Sequence, residues 1–261
     1  MSTVTLSPIS HELLRAWKLF SSRWRTAVLV GLSPVIVLAI ALPILFAWAR
    51  NTGSGTTPSL FLTMVGIAVL IVFYLATIPA RAGLLNLFAR HEGKFSAREA
   101  LRIGLRRFWP FFGTELLIVI PIGLSLLPLL AFQGWFAGAA RPALLASAGI
   151  TVTNTLGLLG VLLLASLPMA LSVAVSFSPI TAAVGDTSGG LSALKRSFAL
   201  LRERKAFWKI SGRLALWVVL FVVICTAVEP LPFVQWMMPF VMSLIGAAFL
   251  VTLYKELTIA A

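Results

Sequence analysis

Residues 142–185, PALLASAGITVTNTLGLLGVLLLASLPMALSVAVSFSPITAAVG, run for 44 positions between Arg141 and Asp186 without a charged side chain. About 20 apolar residues cross the hydrocarbon core of a bilayer as a helix, so this run is too long for one perpendicular span and barely enough for two. How it is read decides the topology. The neighbouring uncharged runs are easier. Residues 26–49 and 60–80 each hold one span, joined by a Gly/Ser/Thr/Pro turn at residues 51–59. Residues 108–140, interrupted only by Glu115, hold a third span that ends near Gln133-Gly134. Residues 214–228 and 239–254 hold two more, on either side of a corner at Glu229-Pro230-Leu231-Pro232.

The cations settle the count. Of the 21 Lys and Arg, four lie in residues 1–25, seven in 81–107, seven in 195–213 and one at Lys255, leaving only Arg50 and Arg141 elsewhere. With one span in residues 142–185, 19 of the 21 fall on one side of the membrane, the asymmetry that cytoplasmic loops carry. Splitting the run would send the block at 195–213 to the other side. The expectation is therefore an all-α polytopic, multi-pass bundle of six spans with both termini cytoplasmic. Its fourth span would be long, tilted and bent at Pro168 or Pro179. A span followed by an interfacial helix is the other arrangement of the run. Residues 26–49 exceed the 7–15 apolar residues of a signal peptide and are expected to stay as a span.

Composition agrees. The 261 residues are 59% apolar and 11% charged, with 8 Asp and Glu and a net charge of +13. Soluble domains are about 45–50% apolar and about 25% charged. A strongly basic chain invites a nucleic-acid reading, but nearly every cation here lies within a turn or two of a membrane boundary, among Trp and Phe that favour it. One cysteine, Cys225, and two distant histidines, His11 and His91, give no material for a disulfide, a metal centre or a cofactor ligand set. GxxxxGK[ST], GxGxxG after a strand, HExxH, CxxC and GxSxG are all missing.

Each basic block reads as an amphipathic helix on the cytoplasmic side. Leu13, Trp17, Phe20 and Trp24 recur at helical spacing beside Arg15, Lys18 and Arg25. Ser96 and Glu99 have the form of a capping box, followed by Leu101, Leu105 and Phe108 against Arg98, Arg102, Arg106 and Arg107. Leu191, Leu194, Phe198 and Leu201 form the third stripe, with Lys195, Arg202 and Lys205 away from it. Each block starts with an apolar residue and a Ser (Ile9-Ser10, Phe95-Ser96, Leu191-Ser192) and precedes a span. The pattern suggests one membrane domain, residues 1–261, made of three repeat units at 9–90, 95–183 and 191–257.

Candidate sites are few. Glu115 lies six residues past Trp109, about 9 Å along a helix, and Arg81 comes out at a similar depth 21 residues past Leu60. A structural ion pair between them is favoured over a proton or cation relay at Glu115. Glu229 reads as a rim partner of Arg50 or Arg141. Asn154, with Thr151, Thr153 and Thr155, begins a polar set continued by Ser166, Ser172, Ser176 and Ser178, read as helix–helix contacts rather than a pathway. Gly157 and Gly160 are three apart and do not form a small-xxx-small seam. Asp186, His91 and Glu92 share the cytoplasmic side, with nothing in their spacing that demands a meeting.

The segment Leu191-Ser192-Ala193-Leu194-Lys195-Arg196-Ser197-Phe198-Ala199-Leu200-Leu201, with Trp208 beyond it and the ending Leu253-Tyr254-Lys255-Glu256-Leu257, resembles a bacterial membrane domain. That domain is attached to some glycerophosphodiester phosphodiesterases and also occurs in stand-alone six-span relatives. The resemblance implies a fold and a location in the cytoplasmic (inner) membrane of a bacterium. The family's soluble catalytic domain has no counterpart here, so no phosphodiesterase activity or metal site is implied. The expected function is non-enzymatic: organisation of anionic lipid, or of a membrane partner protein, through Arg15, Lys18, Arg98, Arg102, Arg106, Arg107, Lys195, Arg196 and Arg202. A transporter for an ion or amphiphile is the alternative.

Overall fold

The computed structural model describes residues 8–52, 58–90, 96–203, 206–228 and 232–259. Among these every regular element is helical: α1 (Ile9–Thr52), α2 (Pro58–Ala89), α3 (Ala97–Arg106), α4 (Phe108–Trp135), a π-helical turn (Phe136–Ala140), α5 (Arg141–Val175), α6 (Ser178–Val184), α7 (Leu191–Glu203), α8 (Phe207–Ala227) and α9 (Pro232–Ile259). Six helical stretches are long and apolar enough to cross a membrane: Ile9–Ile44, Thr63–Ala89, Phe108–Ser147, Gly149–Val184, Phe207–Ala227 and Met237–Thr258. The six-span count stands.

The boundary inside residues 142–185 does not. The chain passes Gln133 and Gly134 in helical conformation, goes through the π turn and continues in α5 until Gly149, where φ is 79° and ψ 170°. That combination is essentially open only to glycine. The helices on either side of it form an antiparallel hairpin. Gly157 lies against Phe136, Gly160 against Phe132, and the two rings stack at 5.5 Å. Both glycines are sockets for aromatic rings; they make no small-xxx-small seam, and the hairpin closes through Phe132 and Phe136 instead. Residues 142–148 thus belong to the third span and residues 149–184 to the fourth. The bend falls at residues 176–177, ahead of Pro179, whose ring would clash with the carbonyl four residues back. Pro168 stays inside α5. At the bend the Phe177 N–H finds Ser197 Oγ at 3.3 Å, and Ser197 Oγ donates to the Ala174 carbonyl at 2.8 Å.

The first basic block is not a separate helix. α1 runs unbroken from Ile9 to Thr52: no glycine or proline stands between Arg15 and the apolar run, and Ser21 and Ser22, which could cap a helix, donate instead to the Lys18 and Leu19 carbonyls within it. Within the basic block, up to Arg25, the buried residues are Glu12, Ala16 and Phe20, while Trp17 and Trp24 are about half exposed, 52% and 49%. The packed core sits at one end of the bundle: residues 16–30 of α1, 78–88 of α2, Phe177 with residues 180–183 of α6, 193–201 of α7 and 244–257 of α9. At the other end Leu124, Leu127, Leu130, Ile150, Leu158 and Leu163 are exposed, as side chains bathed in lipid would be. Helix length is also uneven. The 40 residues of Phe108–Ser147 extend about 60 Å at 1.5 Å per residue, and the 21 of Phe207–Ala227 about 31 Å.

Candidate functional site

The ionic residues gather at the packed end, here called the basic end. Helix α3 is fixed there by backbone contact. A Cβ on Gly83 would meet the Ala100 carbonyl oxygen at 2.6 Å, and one on Gly104 would overlap the Pro79 carbonyl oxygen. α2 and α3 therefore touch main chain to main chain, a crossing open only to small residues. The predicted capping box is present: Ser96 Oγ accepts the Glu99 N–H and Glu99 Oε2 accepts the Ser96 N–H, both at 3.2 Å. Glu99 is thereby turned to its own helix start. Arg98, Arg102 and Arg106 stand four apart on the open side of α3, exposed, with no hydrogen-bond or ion-pair partner among the described residues. Beside them Leu105 is 62% exposed and Trp109 75%.

α7 repeats part of this arrangement. Ala193, Ser197, Leu200 and Leu201 face the core, while Leu191, Phe198, Lys195, Arg196 and Arg202 face outward. Of the predicted stripe only Leu201 is buried, because small side chains at the helix contact let the backbone approach and push the bulky ones outward. Arg107, half-buried at the corner between α3 and α4, lies against Gly185, just past the end of α6. Lys18 is exposed on α1.

The acids are engaged inside the protein. Arg81 Nη1 donates to Glu115 Oε2 at 3.0 Å, with the guanidinium 6.0 Å from the centre of the Phe111 ring. The pair foreseen from depth is thus formed. Glu115 is buried, Arg81 half exposed, and Glu115 Oε1 has no hydrogen-bond donor. A second group joins three helices: Arg213 of α8 bonds the fully buried Glu12 of α1 and lies 3.7 Å from Glu256 of α9, which also accepts from Arg15 at 2.9 Å. Arg15, expected at a lipid surface, is therefore partly committed to an internal carboxylate. Tyr254 donates its hydroxyl to Asp186.

Sequence reading missed Glu12, Arg213 and Glu256 as a group. It also missed the end of α2, which has no basic residue in its own last turn. There Arg23 of α1 donates to the Leu87 carbonyl and Lys255 of α9 to the Phe88 carbonyl at 3.1 Å. Asn86 ties the same turn to α6 by donating to the Ala183 carbonyl at 2.8 Å. Cations at a helix C-terminus satisfy orphan carbonyls and oppose the helix dipole.

The polar set of the fourth span is largely self-contained. Thr153, Thr155, Ser166, Ser172 and Ser176 donate to carbonyls three or four residues back in their own helix, and Asn154 is exposed. Glu229, His91 and Glu92 lie outside the described residues, as does the side chain of Arg50. No group of three His, Cys, Asp or Glu able to hold a metal occurs among the described residues. No family model matches the chain, and searches of curated proteins and of solved structures return no match either.

Proposed function

We propose that the chain is a non-enzymatic protein of the bacterial cytoplasmic membrane that gathers anionic lipid on its cytoplasmic side. In this reading α3, α7 and the first turns of α1 lie at the interface as three related amphipathic elements, each leading into a pair of spans. The observation that carries it is the open face of α3. Three arginines at helical spacing have no carboxylate to satisfy them among the described residues, the bulky Leu105 and Trp109 are exposed beside them, and the opposite face is pressed against α2. A basic side chain near an anionic leaflet contributes about 1 kcal/mol, so three supply about 3 kcal/mol, or roughly a hundredfold preference. Lys195, Arg196 and Arg202 add to the same field from α7. The resemblance to the membrane domain of glycerophosphodiester phosphodiesterases agrees with this location.

The test is lipid retention. Protein extracted from membranes of mixed phosphatidylglycerol and phosphatidylethanolamine is sprayed intact into a mass spectrometer, and bound lipid is counted. Wild type is expected to retain phosphatidylglycerol preferentially, and Arg98→Gln/Arg102→Gln/Arg106→Gln to lose most of that preference while folding normally. Equal retention of the two lipids by wild type would remove the proposal.

A further inference from the structure

Arg23 and Lys255 are brought together at the basic end from helices α1 and α9, across the last turn of α2. Each spends one donor on a carbonyl, yet a guanidinium has five N–H donors and an ammonium three. The carbonyl end of a helix supplies only about half a negative charge against these two cations, which repel one another. No carboxylate contacts either of them among the described residues. Glu256, next in sequence to Lys255, is turned to Arg15 and Arg213, and Asp186 accepts from Tyr254. Both cations are half-buried, so their remaining donors are confined to a small region.

We propose that Arg23 and Lys255 form a two-cation seat for one phosphate-type anion, bridging α1 and α9 over the end of α2. A tetrahedral oxyanion suits it because separate oxygens can accept from a planar guanidinium and from an ammonium arriving from different helices. The phosphate of a lipid headgroup and free phosphate share this chemistry. The seat is separate from the open faces of α3 and α7 and stands whether or not those faces gather lipid.

The experiment measures how fast Lys255 is acetylated in the full chain, in a neutral maltoside detergent, with exposed Lys18 as internal reference. One arm adds inorganic phosphate against chloride at equal ionic strength; the other adds short-chain phosphatidylglycerol. An anion at about three times its Kd slows labelling at the seat about fourfold. Lys255 is expected to be protected in at least one arm while Lys18 is unchanged, and the arm that protects identifies the source. Arg23→Gln is expected to abolish the protection, and Arg98→Gln/Arg102→Gln/Arg106→Gln to keep it. Equal labelling of Lys255 in every arm overturns the proposal, and the wild type alone can show this if Arg23→Gln does not fold. Protection that survives in Arg23→Gln, or that disappears with the α3 arginines, overturns it as well.

Discussion

At the basic end, helices meet through buried ions and bare backbone: Arg213 between Glu12 and Glu256, Gly104 against the Pro79 carbonyl, and Arg23 and Lys255 over the end of α2. At the opposite end of the middle hairpin, Phe132 and Phe136 rest in sockets at Gly160 and Gly157, and much of the remaining apolar surface is exposed. The first mode is directional and intolerant of change. The second is held by fit and by the surrounding lipid. Specificity therefore concentrates where the charges are, although the apolar runs supply most of the chain.

The largest test of this contrast is the ion group. Arg213→Ala leaves the fully buried Glu12 without its guanidinium and is expected to cost about 3–5 kcal/mol, read as a loss of thermal stability in detergent. Asn154→Ala, exposed on the fourth span, is expected to stay within about 0.5 kcal/mol. Next comes the α2–α3 crossing. Gly104→Ala drives a methyl group into a main-chain carbonyl and is expected to cost about 1–3 kcal/mol, whereas Gly134→Ala meets open space and costs nothing measurable.

The sequence showed six spans through its charge-free runs and the one-sided placement of its cations. It could not place the corner inside residues 142–185. Charge marks only the ends of such a run, and the corner depends on the backbone of Gly149, one of several small residues there. The Arg81–Glu115 pair was legible because counting along two spans gives both depths. The Glu12, Arg213 and Glu256 group was not, since Glu12 is 201 residues from Arg213 and farther still from Glu256, and the three meet only once α1, α8 and α9 are neighbours. The outward stripes were half legible: periodicity found the helices, but their buried positions include the small Ala16, Ala100, Ala193 and Ser197, while Trp17, Leu105, Leu191 and Phe198 are exposed.

The corner gives the smallest effect. Gly149→Ala forces a side chain into a left-handed extended backbone and is expected to cost about 1–2 kcal/mol. Gly138→Ala, in the π turn with open space around it, is the matched control. Equal stability of the two variants would move the corner elsewhere.

The separation of the two ends across a membrane is tested most directly by cysteine labelling in a bacterial host. In a Cys225→Ala background, Arg102→Cys marks the basic end and Ser147→Cys the tip of the middle hairpin. A membrane-impermeant maleimide is expected to label Ser147→Cys in intact cells and Arg102→Cys only after the inner membrane is opened. Labelling of Arg102→Cys in intact cells, or of both positions from the same side, would contradict the account.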